Sequence, residues 1–111
     1  MVYEIEEYVT ANDKCPYAKW VNGLKDHIAR SKVAGRVERA MYGNFGDWKS
    51  LAGAKGVYEM RENYGPGYRI YFSIVRKKII LLLAGSTKKD QDRMIAKAAE
   101  YLADYEGRMR E

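Results

Sequence analysis

Three strand patterns follow one another between residues 57 and 84, with no helical pattern between them. The first two, at 57–64 and 68–75, are separated by Gly-Pro-Gly, and the third, at 79–84, follows the short segment Arg-Lys-Lys. Consecutive strands joined by turns this short run antiparallel to each other. The stretch therefore predicts an antiparallel meander. Its last strand is apolar on both faces and is expected to lie centrally in the sheet.

Amphipathic helices are predicted on both sides of this meander, because apolar residues recur there at helical spacing. The first helix begins at Pro16 and carries its apolar stripe through Ile28. The second is capped by Ser31 and ends at Gly43. The third begins near Lys88 and runs to the end of the chain.

These patterns together give the order β-α-α-β-β-β-α, since residues 2–9 suit an opening strand and residues 43–56 form a glycine-rich stretch without periodicity. We predict an α+β fold in which an antiparallel sheet is packed by an N-terminal helical hairpin and a C-terminal helix. Residues 1–111 are expected to form a single domain, given the length of the chain. Its longest apolar run, 79–84, is far shorter than the roughly 20 residues that a membrane helix needs.

The charge of the chain is +5 and is unevenly distributed. Residues 1–13 carry four acids and no base, whereas residues 14–93 carry 17 bases and seven acids. A basic body attracts polyanions such as nucleic acid, although many small soluble domains are equally basic. The acidic N-terminus lacks the apolar region of a signal peptide, and the single cysteine excludes an internal disulfide, so we expect a cytoplasmic protein.

Alternation along the strands predicts which side chains share a face of the sheet. Ile70 and Phe72 would point into the core, which leaves Arg69 and Tyr71 on the opposite face. The same parity on the preceding strand places Glu59 and Arg61 beside them. This face is either a site for a phosphate backbone or an ordinary solvated surface.

Three segments form a distinctive pattern: VYEMRENYGPGYRIY at 57–71, LLLAGSTKKDQDRMI at 81–95 and GNFGDWKSL at 43–51. Together they resemble the RelE/ParE superfamily of toxins, and more closely its HigB-like or phage Gp49-like branch, often described as addiction-module killer proteins. The resemblance includes the E-x-R step at Glu59–Arg61, the GYR sequence around Arg69 and the K-x-x-Q-D sequence that begins at Lys88.

The resemblance implies a toxin of a type II toxin–antitoxin system. Such a toxin inhibits translation by cutting mRNA, often on the ribosome, and is neutralised by a helix-turn-helix antitoxin. Operator DNA would be bound only through that antitoxin, and no membrane is involved. Two alternatives remain: a non-nuclease toxin like ParE, which binds a protein target such as DNA gyrase, or an inactive phage-derived binding module.

The residue types restrict how RNA could be cleaved. The only histidine, His27, is expected to be a surface or packing residue of the first helix, so a two-histidine mechanism is excluded. No Asp, Glu or His cluster has metal-ligand spacing, and we expect neither a metal nor a cofactor. Asp90 and Asp92 lie at a helix start, where capping explains them better, and Thr87 with Asp90 resembles a capping box.

Arginine and lysine are left for the electrostatic work of cleavage, as the resemblance also implies. Arg69 would hold the scissile phosphate, with Arg61 beside it across the hairpin. Lys88 occupies the basic position of the family's glycine-to-helix step and would stabilise charge or supply a proton. It also lies at a helix start, which favours phosphate. The weaker candidates for RNA contact are Lys89, Tyr71, Gln91 and Glu59, the last of which could serve as a base or orient Arg61.

Overall fold

The computed structural model describes residues 2–110 as a five-stranded sheet with three α-helices. The strands are β1 (Glu4–Glu7), β2 (Trp48–Ser50), β3 (Tyr58–Glu62), β4 (Tyr68–Val75) and β5 (Ile79–Thr87). The helices are α1 (Pro16–Asn22), α2 (His27–Met41) and α3 (Gln91–Met109), and a 3₁₀ turn (Lys88–Asp90) precedes α3. The predicted α+β class and order of elements are confirmed, with β2 as an additional strand. The prediction of a continuous loop at 43–56 is therefore wrong over β2.

The sheet is mixed and has the strand order β1-β5-β4-β3-β2. The predicted meander is confirmed, since β3, β4 and β5 are antiparallel neighbours. β5 lies between β4 and β1, which explains why its first residues are apolar on both faces. The prediction of a wholly antiparallel sheet is wrong at β1, which runs parallel to β5. The long connection that a parallel pair requires is formed by α1, α2 and the meander.

Helices cover both faces of this sheet. On one face α1 and α2 pack over a core that includes Val33, Phe72 and Ile80, all fully buried. On the other face α3 packs with Leu102 against a core that includes Leu83. The face that carries Arg69 is this second one, so the interpretation of that face as an ordinary solvated surface is wrong. We call it the α3 face.

The boundary between the first two helices lies earlier than the sequence pattern indicates. α1 ends at Asn22, and the side chain of Asp26 caps α2 by accepting hydrogen bonds from the backbone N–H groups of Ile28 and Ala29. The apolar spacing continues across this break, so the prediction of one helix through Ile28 is wrong, as is the cap at Ser31, which lies inside α2.

The predicted capping box of the third helix is also wrong. Within residues 2–110, neither Thr87 nor Asp90 makes a side-chain capping hydrogen bond. The 3₁₀ turn begins the helical segment instead, and Asp90 lies 3.7 Å from the guanidinium of Arg93. Such tight turns are common at the ends of α-helices.

Asp26 makes stability depend on pH. The hydrogen bond from the Tyr64 hydroxyl and those from the backbone of Ala29 and Ile28 lower the pKa of Asp26 below its ordinary value. A carboxylate with a depressed folded pKa stabilises the fold above its unfolded pKa, and this contribution is lost as the pH falls through the folded pKa. We expect Asp26→Asn to be less stable than wild type in urea at neutral pH. The difference should shrink in acid, and a difference that stays constant with pH would contradict this.

A β-bulge changes the alternation of β5. Tyr71 pairs with Ala84 and Phe72 pairs with Leu82, so Leu83 is an extra residue in the ladder. Leu83 and Ala84 both pack in the core under α3, and the parity of the residues after them is reversed. Ser86 thereby faces α3 and shares a hydrogen bond of 2.8 Å with the Tyr71 hydroxyl.

Gly85 points to the opposite face, where the Trp20 ring lies against it. A Cβ atom at this position would lie 2.0 Å from the Trp20 ring. We expect Gly85→Ala to lower the free energy of unfolding by about 1–3 kcal/mol, because overpacking forces neighbouring groups to move. Gly107→Ala is the matched control: within residues 2–110 nothing lies within 4 Å of its Cβ position, and alanine favours the helix. Equal effects of the two substitutions on urea unfolding would contradict this packing.

Candidate active site

The residues selected from the sequence form two rows across the α3 face. Arg61 on β3 is paired with Arg69 on β4, which is paired with Ser86 on β5. In the neighbouring row, Glu59 is paired with Tyr71. Directly paired residues on adjacent antiparallel strands point to the same face, so the ladder brings these side chains together.

Glu59 is the centre of this arrangement and is fully buried. Its Oε2 accepts a hydrogen bond of 2.9 Å from Nε of Arg61 and lies 3.8 Å from Nε of Arg69. Its Oε1 accepts a hydrogen bond of 2.7 Å from Nε2 of Gln91, the first residue of α3. We call these four residues the arginine cluster. Glu59 and Tyr71 are both fully buried in this conformation, so neither offers surface to a ligand.

Arg69 combines deep burial with unused hydrogen-bonding capacity. Its side chain is 8% exposed, and its Nη1 donates to the carbonyl oxygen of Tyr68 at 3.2 Å. Its Nε is buried and has no hydrogen-bond partner within residues 2–110. A buried, charged donor without a full set of partners is costly. An anion at the exposed part of this guanidinium would add a charged acceptor.

Arg61 is the more accessible arginine of the cluster, with 29% of its side chain exposed. The hydrogen bond to Glu59 raises its pKa further above the ordinary arginine value, so it remains a cation. Its Nη1 also lies 4.0 Å from a carboxylate oxygen of Asp47. The backbone of Arg61 is fixed from α2, because Nε of Arg36 donates to its carbonyl oxygen at 3.0 Å. The hydrogen bond from Arg61 to Glu59 fits the alternative in which Glu59 orients Arg61.

Lys88 lies beside Arg69 at the point where β5 ends, and Lys89 follows it in the 3₁₀ turn. The backbone N–H of Lys88 donates to the carbonyl oxygen of Gly67 at 3.0 Å, which ties the start of the 3₁₀ turn to the β3–β4 turn. A Cβ atom on Gly67 would lie 3.6 Å from the Cβ of Lys88 and 4.0 Å from Nη1 of Arg69. Both lysines are exposed to solvent.

Tyr71 stays protonated at neutral pH. Burial raises the pKa of its phenol to about 12, and the hydrogen bond with Ser86 only partly opposes this. Alternation alone does not predict the face that Ser86 occupies, because the bulge at Leu83 reverses the alternation in the residues after it.

His27 lies outside the arginine cluster. It is the first residue of α2, not part of the first helix, and its exposed ring contacts the guanidinium of Arg30. Over residues 2–110 no group of three or more His, Cys, Asp or Glu side chains is arranged to hold a metal ion. In the same range no helix is both long and apolar enough to cross a membrane.

Sequence reasoning missed Lys49, which lies on β2 directly opposite Glu59. It is exposed at the edge of the sheet and extends the basic surface beyond Arg61. The sequence Trp48-Lys49-Ser50 is too short and too close to glycines to be recognised as a strand. The alternation of an aromatic and a basic residue was the one feature of the sequence that indicated this strand.

Comparison with known proteins identifies one sequence relative. An uncharacterized protein of Haemophilus influenzae is 37% identical over 82 residues, which cover 74% of this chain and 81% of the relative. The chain belongs to the family of this Haemophilus protein. No family model matches the sequence.

The fold has a solved counterpart as well. The free-state structure of a double mutant of the E. coli toxin RelE superimposes with a TM-score of 0.63 and covers 90% of this chain and 97% of that protein. The identity is 14%, so the likeness concerns the fold. This chain thus has a RelE-like fold, as the sequence motifs predict.

Proposed function

We propose that the protein is the toxin of a type II toxin–antitoxin system and cleaves mRNA on the ribosome, in the HigB-like branch of the RelE/ParE superfamily. The observation that carries this is the buried Arg69 guanidinium, which lacks a full set of hydrogen-bond partners within residues 2–110 and has the exposed Lys88 beside it. This arrangement suits a phosphate group, which brings several strong acceptors and negative charge.

Cleavage would proceed by attack of the RNA's own 2′-OH on the adjacent phosphorus. The 2′-oxygen forms a bond to phosphorus while its proton passes to solvent water. The bond from phosphorus to the 5′-oxygen breaks as that oxygen takes up a proton. The products are a 2′,3′-cyclic phosphate and a free 5′-OH. Charge accumulates on the phosphate oxygens in the transition state, and preorganised cations stabilise that charge.

Each side chain then has a defined task. Arg69 and Arg61 bind the scissile phosphate, and Lys88 protonates the leaving 5′-oxygen or stabilises its charge. Lys89 and Gln91 lie at the start of α3, where they can contact the neighbouring RNA. Glu59, being fully buried with both oxygens engaged, acts by fixing the two guanidinium groups, and Tyr71 supports the floor of the site.

The partners follow from this activity. The toxin acts in the cytoplasm on ribosome-bound mRNA and is neutralised by a helix-turn-helix antitoxin. The complex binds its operator DNA through the antitoxin. Purified toxin that selects the operator by itself would contradict this division.

Induction of the protein alone in a bacterium tests the proposal. We expect growth to stop and primer extension to show new 5′ ends inside translated mRNAs. Lys97→Ala is the control, because it removes an exposed cation from α3 away from the cluster and should leave the arrest unchanged. Growth arrest with intact transcripts and broken DNA would contradict the proposed nuclease and indicate a toxin that acts on DNA gyrase. Normal growth and intact transcripts would instead indicate an inactive binding module.

A further inference from the structure

A groove of about 510 Å³ lies where α1 crosses the end of β5 and the start of α3. Its size is within the range of small-molecule sites in proteins. Its walls are apolar and come from Trp20 and Leu24 near α1 and from Met94 on α3. Its floor is the end of β5, at Gly85 and Ser86. The groove thus offers an aromatic ring and flat apolar walls around a strand end.

Charged groups stand on the rim of this groove. Lys19 lies on the α1 side, while Asp90 and Arg93 lie on the α3 side. The side chains of Arg93 and Asp90 are 72% and 49% exposed, and their ion pair of 3.7 Å is open to solvent. An exposed ion pair stabilises a protein only slightly, so breaking it to bind a ligand costs little free energy. Both a hydrogen-bond acceptor and cations are therefore available at the mouth.

The groove adjoins the arginine cluster. Ser86 on its floor is the cross-strand partner of Arg69, and neighbouring strands are about 4.8 Å apart. The side chain of Ser86 points to the α3 face, whereas Gly85 lies against Trp20 on the opposite face. The end of β5 therefore separates Arg69 from the groove. The groove therefore begins about one strand spacing from Arg69.

We propose that this groove holds the base of an RNA nucleotide next to the phosphate bound at Arg69, an inference that rests on the proposed function. A nucleobase is flat and stacks on aromatic side chains, and its edge carries donors and acceptors. Trp20 and Met94 match its faces, while Asp90 and Arg93 match its edge. Lys19 and Arg93 add the positive charge that a polyanion requires.

The groove also predicts a preference among bases. The Asp90 carboxylate accepts hydrogen bonds, and adenine, cytosine and guanine each present an exocyclic amino group. Uracil has no amino group. We therefore expect uracil to be the weakest ligand of this groove.

Fluorescence of Trp20 tests the inference directly. The chain has two tryptophans, so Trp48→Phe leaves Trp20 as the only tryptophan. This protein is titrated with AMP, GMP, CMP, UMP and ribose 5-phosphate. We expect the three amino-bearing nucleotides to quench Trp20 and to bind roughly 5- to 100-fold more tightly than ribose 5-phosphate, which has no base to stack. Equal responses to the sugar phosphate and the nucleotides, or no quenching, would overturn the inference.

Substitutions at Arg93 and Asp90 test where the ligand binds, and Lys97 serves as the control position. Arg93→Glu should weaken nucleotide binding several-fold, whereas Lys97→Glu one helical turn further along α3 should leave it unchanged. Asp90→Ala should remove the discrimination against UMP. Growth arrest and mRNA cleavage without base-dependent quenching would overturn the groove inference alone. Base-dependent quenching in a protein that cuts no mRNA in cells would support the groove as a nucleotide site and contradict the proposed nuclease.

Discussion

Replacing Arg69 by alanine is expected to abolish mRNA cleavage and relieve growth arrest while the protein still folds. Removing one preorganised donor from a developing negative charge typically lowers a rate by roughly 10²- to 10³-fold. The fold should survive because Glu59 keeps its hydrogen bonds from Arg61 and Gln91, so no buried carboxylate is left without partners. The measurement is primer extension on a reporter mRNA after induction, with circular dichroism to check folding.

Two further variants make this result specific. Arg39→Ala removes an arginine from an exposed position of α2 and should leave cleavage at the wild-type rate. Arg69→Lys keeps the charge but loses the planar fork of donors, and it should retain only part of the activity. If a folded Arg69→Ala protein cuts mRNA as fast as wild type, the arginine cluster is not the site of cleavage.

Replacing Glu59 by alanine is expected to produce the largest loss of stability. Breaking a buried ion pair by removing one partner typically costs about 3–5 kcal/mol, because the remaining charge is left buried and uncompensated. Here Arg69 is 8% exposed and Arg61 is its direct cross-strand neighbour, so two cations would face each other without the carboxylate between them. Urea denaturation of purified protein measures the change in the free energy of unfolding.

Controls separate charge from packing at this position. Glu59→Gln keeps the shape of the side chain and should fall between wild type and Glu59→Ala. Glu38→Ala, at an exposed position of α2, should change the free energy of unfolding by less than about 0.5 kcal/mol. A Glu59→Ala protein as stable as wild type would show that this carboxylate does not hold the two arginines.

The sequence was sufficient to predict the meander and the face that each residue of β3 and β4 occupies. Alternation is a local property, and the tight turns at Gly65 and at Arg76 leave little choice of pairing. Arg76 and Lys77 both have positive φ, as the two central residues of a type I′ turn do. The juxtaposition of Arg61 with Arg69 followed from these two signals alone.

Burial of the polar face was not predictable in the same way. α3 is amphipathic, but its sequence does not state which face of the sheet it covers, and the alternating polar residues on β3 and β4 favoured solvent. Glu59 is fully buried only because Arg61, Arg69 and Gln91 together satisfy it, and Gln91 is distant in sequence. Such a network depends on tertiary structure.

Two local features were missed because their signals are weak. The break before α2 leaves the apolar spacing intact, and only the capping role of Asp26 marks it. The bulge at Leu83 lies in a run of leucines, where one extra apolar residue changes no pattern. Its consequence, the placement of Ser86 beside Tyr71, was therefore also missed.

The chemical nature of the cut ends tests the account most directly. Translating ribosomes programmed with a reporter mRNA are mixed with purified toxin, and the downstream fragments are labelled with polynucleotide kinase with and without prior phosphatase treatment. Cleavage by the RNA's own 2′-OH predicts fragments with a free 5′-OH, labelled equally in both cases, and no such fragments with the Arg69→Ala protein. Fragments that carry a 5′-phosphate, or equal cutting by the Arg69→Ala protein, would contradict it.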